Sequence, residues 1–425
     1  MKSNAPHIII LGAGYASLAC IANLPKSIYN TARWTLITKE SAHYESVLLH
    51  EVVSGYKDRE ILHPLQDIIP KDIAIVQDCV QTINASDKSI ICDNGTYHYD
   101  VLVIGLGFAS DSFGIKGVSE YALPLTSYHQ AKAIRTRIEE NLHAYIRTND
   151  ERYLRFVVCG GGFSGCELVA TLAQEIPRQA KKLGIQKAIE CVCIEALDTV
   201  LPMFASKLAQ KGRKYLEKLG VNVRTSSKIL SVQENGVQIA LPSTNQEQKE
   251  PQTELIESFC VIWTAGVQGN LVIANSFATP KSKLVITPYL HPKSLSTEEA
   301  PESSTPIDMD SIFVLGDCGA LLDEKTQRFY PPTAQLAQQQ GIYLASILPA
   351  YLQQYAAKDS AKVDSSRHAS EQIPPFAYEP QGTICSLGSC YGIGEIAGKS
   401  FSGFIAIALK RAVEWRWRRS IRKRR

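Results

Sequence analysis

Short runs of consecutive apolar residues recur along the chain: Ile8 to Leu11, Trp34 to Ile37, Val101 to Ile104, Phe156 to Cys159, Cys191 to Ile194, Cys260 to Thr264 and Ile312 to Leu315. Runs this short, apolar without alternation, are strands buried on both faces. Helical stretches separate them, so the pattern predicts an α/β fold whose parallel sheets are covered by helices. Their order adds a topological expectation. A first set of strands is followed by a second that closes at Trp263-Thr264-Ala265-Gly266, and Phe313-Val314-Leu315-Gly316-Asp317 then reads as a return to the first sheet. The expected division is 1–115 and 276–350 for one domain, 116–275 for a second inserted in it, and 351–425 for a C-terminal region.

Two stretches interrupt the alternation. His291 to Asp308 is rich in Ser, Glu, Pro and Thr, and Gln354 to Pro375 in Ser, Ala, Lys and Asp, which predicts surface loops. Gly382 to Gly394 is a segment of small residues, and a helix is expected from about Phe401. Along that helix Phe404, Ile405, Ala408, Leu409, Ala412 and Trp415 share one face.

Two of the predicted strands run into glycine loops. Gly12-Ala13-Gly14-Tyr15-Ala16-Ser17 follows the first apolar run, and Gly160-Gly161-Gly162-Phe163-Ser164-Gly165 follows Phe156 to Cys159. A strand, a glycine turn and a helix N-terminus together present backbone N–H groups to a pyrophosphate, the phosphate cradle of a Rossmann-like domain. The second is a full GxGxxG; the first has Ser17 in the third position, small enough to keep helix against strand. Two cradles imply two dinucleotides, one a resident flavin and one an exchangeable nicotinamide, an arrangement that passes a hydride between them. Glu195, at the end of the run Cys191 to Ile194, can accept hydrogen bonds from both hydroxyls of an adenine ribose. It would repel a 2′-phosphate, which favours NADH. The other reading is a solvated strand-end carboxylate. Glu40 is the nearest carboxylate for the flavin's ribose.

Composition narrows the setting. The 425 residues, 45% hydrophobic, are enough for more than one core. The net charge of +3 hides an asymmetry: residues 410–425 hold nine basic side chains and one Glu, so the rest of the chain is net acidic. Eleven cysteines with no CxxC suggest free thiols in a reducing compartment rather than a disulfide framework. The apolar run before the first cradle is too short for a secretory signal. Phe404 to Leu409 falls far below the ~18 residues of a membrane-spanning helix. An apolar stripe with Trp and dense Arg is instead the pattern of a helix lying in an anionic membrane surface; a core helix leaves the Arg-Trp repeats unexplained, and a nucleic-acid tail leaves the stripe unexplained.

With these segments in place, the chain resembles the type II NADH dehydrogenases, the single-subunit, non-proton-pumping NADH:quinone oxidoreductases of the two-dinucleotide-binding flavoprotein superfamily. The resemblance runs through the first cradle, His43-Tyr44-Glu45-Ser46, Leu49-His50-Glu51 with Gly55, and Tyr99 to Gly107. It continues through the second cradle with Cys166-Glu167-Leu168, then Trp263 to Gly266, Gly316-Asp317, Pro332 to Gln339 and Gly382 to Gly388. The AQxAxQ pattern at Ala334 to Gln339 is the most specific part.

The resemblance implies non-covalent FAD, NADH and a membrane quinone, with no metal and no nucleic acid. It also implies a homodimer peripheral to the cytoplasmic face of a bacterial cell membrane. Nucleotide contacts are implied at Gly12, Gly14, Tyr15, Ala16, Lys39, Glu40, Val80, Gly107, Asp317, Ala334, Gln335, Gly160, Gly162, Phe163, Gly165, Glu195, Ala265 and Gly266. Glu167, Gln335 and Gln339 fall at the quinone end, with Glu167 expected to be a buried acid of raised pKa that delivers protons. Relatives usually continue past the last helix, so anchoring here is expected to lean on charge and to be salt-sensitive. The nearest alternative is a sulfide:quinone reductase, which needs a reactive pair among Cys159, Cys166, Cys318, Cys385 and Cys390. A disulfide reductase lacks its cysteine motif here. An apoptosis-inducing-factor-like binding module stays open.

Overall fold

The computed structural model describes residues 5–241, 252–277, 279, 282–293, 308–360 and 373–422. Most of the two predicted polar insertions, 294–307 and 361–372, and the last three basic residues lie outside them.

Ten strands form two parallel sheets: β1 (His7–Leu11), β2 (Arg33–Thr38), β3 (Ile73–Gln77), β4 (Val101–Ile104), β5 (Leu123–Pro124), β6 (Arg155–Cys159), β7 (Glu190–Ile194), β8 (Val221–Arg224), β9 (Cys260–Trp263) and β10 (Ile312–Val314). The first sheet runs β10-β4-β1-β2-β3 and the second β5-β9-β6-β7-β8. All of the expected strands form. Ile8–Leu11 and Phe156–Cys159 are fully buried because helices cover both faces. β10 pairs with β4 in register Ile312 to Leu102, so the chain does return to the first sheet after completing the second.

The helices that matter for the site are α1 (Tyr15–Asn23), α2 (Leu49–Val53), α3 (Tyr128–Thr148), α4 (Phe163–Lys182), α5 (Ser206–Lys218), α6 (Ala334–Ser360) and α7 (Phe404–Arg422). α1 and α4 start directly from the two glycine loops, with Gly14 and Gly162 as N-caps, no capping side chain and no acidic residue in the first turn. These are the conditions that leave backbone donors and the positive helix end free for an anion.

Two expectations need correction. The crossing between the sheets comes earlier than residue 275: Phe108–Ser110 pairs with Val267–Gly269, and Leu271–Phe277 buries Ile273 and Phe277 in the first core. The helix expected from about Phe401 starts later, because the residues before it, with the small-residue segment Gly382 to Gly394, are strands. Thr383–Ser386, Gly392–Ile396 and Lys399–Gly403 form an antiparallel sheet, so α7 begins at Phe404. Alternating glycines and serines in these strands give no apolar period to read.

α7 packs against the body through Ala406, Ile407, Glu414, Trp417 and Ile421. The predicted apolar stripe is on the outward face, with Phe404 66% and Trp415 59% exposed, and Val413 joins it. The inward face is mixed: charged Lys410, Glu414 and Arg418 meet the protein beside Ala406, Ile407, Trp417 and Ile421.

Candidate active site

The first cradle opens into a cleft of 1290 Å³. A volume above the ~300–1,000 Å³ of an ordinary ligand pocket fits a dinucleotide with room beside it. Gly12 makes the turn at φ +85°, where a Cβ would stand 2.5 Å from the Gly105 carbonyl oxygen. Ser17, the departure from the glycine pattern, is fully buried; a Cβ at Gly105 would collide with its hydroxyl. The absent side chain at Gly105 makes the room that Ser17 takes.

Of the expected nucleotide contacts, Gly12, Gly14, Tyr15, Ala16, Lys39, Glu40, Val80, Gly107, Asp317, Ala334, Gln335, Phe163 and Gly266 stand on the wall of this cleft. Gly160, Gly162, Gly165, Ala265 and Glu195 do not; they gather at the neighbouring cradle of the second sheet. Glu195 is fixed there: its Oε2 accepts from Gly161 N at 2.7 Å and its Oε1 from Leu197 N at 2.9 Å. Burial pushes the Asp317 carboxyl above its ordinary pKa, with Lys283 opposing. The backbone of the Gly316-Asp317 turn is held by Gln340, whose Oε1 accepts from Gly316 N at 2.7 Å. Sequence reasoning passed over Gln340, because three glutamines in a row read as a polar helix surface.

Gln335 and Gln339 do share one face of α6, but both serve a backbone segment. Gln335 Oε1 accepts from the Tyr378 hydroxyl at 2.7 Å and Gln381 N at 3.0 Å. Gln339 spans Glu379, its Nε2 donating to the carbonyl at 2.8 Å and its Oε1 accepting from the amide at 3.0 Å. Gln339 is not on the cleft wall; its neighbour Gln338 is. From the other side Arg416 on α7 donates to Gln381 Oε1 at 3.0 Å. Segment 378–382 is thus pinned between two helices at the cleft's edge.

Glu167 is 8% exposed and on the wall, but it is the fifth residue of α4 and so lies just past the first turn, which holds no acidic residue. The expectation of a raised pKa is overturned. Burial alone would raise it, but the Lys410 ammonium, which donates to Oε1, and the Ser386 amide at 2.9 Å stabilise the carboxylate; the net shift is downward. Lys410 is raised in turn by Glu167, against the effect of its own burial. His50 Nδ1 stands 3.7 Å from Glu167 Oε2, yet burial lowers its pKa to about 4, so it is neutral near pH 7 and no third ion of the group.

A second buried group ties the first cradle to α7. Ala13 O lies 3.0 Å from His43 Nδ1, and Trp417 Nε1 donates to His43 Nε2 at 3.2 Å, which assigns the His43 proton to Nδ1. The Trp417 ring lies 4.8 Å from that of Tyr15. Beneath them, Glu45 Oε1 lies 2.9 Å from His63 Nε2 and accepts from Arg418 Nε at 2.6 Å. Lys410, Val413, Glu414, Arg416 and Trp417 all reach the cleft, so α7 is a wall of the site as well as a surface helix. The sequence reading missed this because it assigned the helix by its apolar stripe. The signal was the Lys410/Glu414/Arg418 spacing on the opposite face.

Burial lowers both His43 and His50 from 6.5 to about 4. The unfolded chain therefore binds more protons across that interval, and stability falls as pH drops from about 6.5 towards 4. Melting curves at constant ionic strength should show a Tm that declines over this window; a flat Tm would contradict the buried neutral histidines.

Among the candidate cysteines, Cys159, Cys166, Cys318 and Cys385 are buried, Cys390 is exposed, and none is on the cleft wall. Burial pushes the Cys318 thiol up to about 12. Nothing here matches the reactive pair that a sulfide reductase needs.

A family model for pyridine nucleotide-disulphide oxidoreductases matches residues 6–341. Type II NADH:quinone oxidoreductases of Staphylococcus saprophyticus and Staphylococcus haemolyticus are each 31% identical, over 424 and 422 residues, covering 98% of this chain and 96% of theirs. Among solved structures, NDH2 from Plasmodium falciparum in complex with NADH superposes with a TM-score of 0.81 at 18% identity, covering 98% of this chain and 97% of that one. The sulfide:quinone oxidoreductase of Aquifex aeolicus gives 0.73 at 16%, covering 99% and 92%. At such identities these two establish the fold alone. From the match over 6–341 and the two full-length relatives, the chain belongs to the pyridine nucleotide-disulphide oxidoreductases and, within them, to the type II NADH:quinone oxidoreductases.

Proposed function

We propose that this protein is an NADH:quinone oxidoreductase that holds FAD non-covalently and pumps no protons. The observation that carries the reading is the pair of uncapped helix N-termini behind two glycine loops, one of which opens into a cleft large enough for a flavin dinucleotide. When bound, FAD supplies the redox chemistry, taking a hydride from NADH and passing two electrons to quinone. The chain's residues do the rest. The Gly12–Ala16 loop receives the flavin pyrophosphate, Glu40 and Lys39 the adenosine end, and Asp317 with Gly107 the central part. The sheet of β5 to β9 is the NADH unit, inserted between the two parts of the FAD unit, with Gly160–Gly165 on the pyrophosphate and Glu195 on the adenine ribose.

Glu195→Ser should reduce kcat/KM for NADH at least tenfold, the worth of about 1.5–3 kcal/mol for a hydrogen bond to a charged group. It should also raise NADPH turnover. Steady-state rates with both nucleotides decide; unchanged discrimination would remove Glu195 from the ribose site.

Quinone enters beside Glu167, Lys410 and Gln335, where α7 meets segment 378–382. Gln335 and Gln339 act here by positioning that segment. The outward apolar face of α7 is read as lying in the cytoplasmic surface of the membrane, with Arg411, Arg416 and Arg419 towards anionic headgroups. In agreement with a peripheral attachment, no helix among the described residues is long and apolar enough to cross a bilayer. Co-sedimentation with anionic vesicles should weaken several-fold between low and high salt and be lost in Phe404→Asp/Val413→Asp. Salt-independent binding, or none by the wild type, would refute the attachment. Homodimer formation belongs to the same reading and is checked by light scattering.

A further inference from the structure

Behind Glu167 and Lys410, on the side away from the flavin loop, lies a second and much smaller cavity of about 20 Å³. That is room for a water molecule. Its walls include Glu51, Thr171, Gln174 and Ser389, and it approaches the surface at Tyr56, which is 49% exposed. Three residues, His50, Lys410 and Glu414, line both this cavity and the main cleft. They are the partition between the two. His50 is neutral and Lys410 is bonded to Glu167, which leaves Glu414 as the group not already committed. It lies one helical turn beyond Lys410 and is only 8% exposed. The two cations nearest to it, Lys57 and Arg418, stand 3.7 Å from Oε2, beyond hydrogen-bond reach. Each is better paired elsewhere, Lys57 with Glu51 at 2.5 Å and Arg418 with Glu45 at 2.6 Å.

Resting on the quinone-reducing reading above, we propose that Glu414 relays the proton that the reaction consumes, taking it from solvent on the Tyr56 side and passing it through water in the side cavity to Lys410 at the cleft. The balance requires such a supply. A quinone becomes a quinol by gaining two electrons and two protons; the hydride of NADH accounts for both electrons and one proton, and the other comes from solvent. Lys410 gives an Nζ proton to the reduced substrate oxygen. The Glu414 O–H bond then breaks as the cavity water, which both residues border, takes that proton and gives one of its own to re-form the N–H bond at Lys410, and the carboxylate recovers a proton from solvent on the Tyr56 side. No electrons travel this way, and each group ends as it began.

The surroundings suit the task. Burial lifts the Glu414 pKa, Glu51 adds to the rise, and Lys57, Lys410 and Arg418 oppose it; the net shift is upward. Glu167 and neutral His50 also stand at the partition, and Tyr56, Glu175 and Arg411 are the further titratable groups on the walls of the side cavity. A carboxyl raised towards neutrality holds a proton more readily than Glu167, whose shift is downward, and so is the better relay.

The test uses the flavin-loaded full chain as wild type, Glu414→Gln, Glu414→Asp and Thr171→Leu, the last filling the side cavity without altering Glu414. Infrared titration of the oxidised protein should show a protonated-carboxyl band that Glu414→Gln lacks. Each protein is also reduced anaerobically with NADH and then mixed with a short-chain quinone in H₂O and D₂O at several pH values. Glu414→Gln should slow reoxidation by about tenfold or more and change its pH profile and isotope effect, while reduction by NADH keeps its rate. Glu414→Asp should recover most of the loss, and Thr171→Leu should slow the same step. An unchanged band together with wild-type reoxidation in Glu414→Gln overturns the relay, as does equal loss of both half-reactions in Gln and Asp variants. If Glu414→Gln fails to retain flavin, wild-type reoxidation in Thr171→Leu overturns it. Should the wild type itself not be reoxidised by quinone, the function is wrong, and the infrared band alone then judges Glu414.

Discussion

Lys410→Met should destabilise the protein by about 3–5 kcal/mol, the cost of leaving a buried charge without its partner. Glu167 is the charge in question: 8% exposed, it keeps the Ser386 amide and hydroxyl but loses the only cation bonded to it among the described residues. Neutral His50, 3.7 Å away, is the group that would take up a proton in compensation. The double variant Lys410→Met/Glu167→Gln removes both charges and should recover much of the loss, because the single-variant cost is mainly that of an unpaired ion. Urea unfolding of the two single variants and the double gives the coupling. Additive losses would mean that the two groups do not act as a pair. Since Lys410 belongs to α7 and Glu167 to α4, the same result measures how firmly the C-terminal helix is fastened to the nucleotide units.

Gly12→Val should yield a folded but colourless protein. The turn needs φ +85°, which β-branched residues avoid, and its Cβ would press on Gly105 O at 2.5 Å. Relief of that contact shifts the loop proposed above to receive the flavin pyrophosphate on its N–H groups. Absorbance near the flavin bands after purification and reconstitution reports the loss. Circular dichroism separates it from unfolding. A variant as yellow as the wild type would remove the first cradle from the flavin site.

The sheets were legible because double burial writes itself as unbroken apolar runs, and the cradles because a phosphate loop needs glycine at fixed places. Glu40, Asp317 and Gln335 could be placed from their motifs, and all three stand on the cleft wall. What escaped was set by tertiary contact. Glu167 could be expected to be buried, but its pKa depends on Lys410, 243 residues away in sequence. Gln339 carries a motif suited to a ligand and spends its amide on the Glu379 backbone. α7 announces its outer face through Phe404, Ile405 and Leu409, while the face that builds the site mixes Trp417 with charged Lys410 and Arg418, whose bonded partners lie on other elements. The strands at 383–403 have no apolar alternation, and only pairing in the sheet reveals them.

The central claim is tested most directly by anaerobic stopped-flow of the purified yellow protein, first with NADH and then with a quinone. The account predicts rapid bleaching by NADH, far slower bleaching by NADPH, none by sulfide, and return of the colour when quinone is added. A protein that retains no flavin, or whose flavin ignores NADH and bleaches with sulfide, would contradict it.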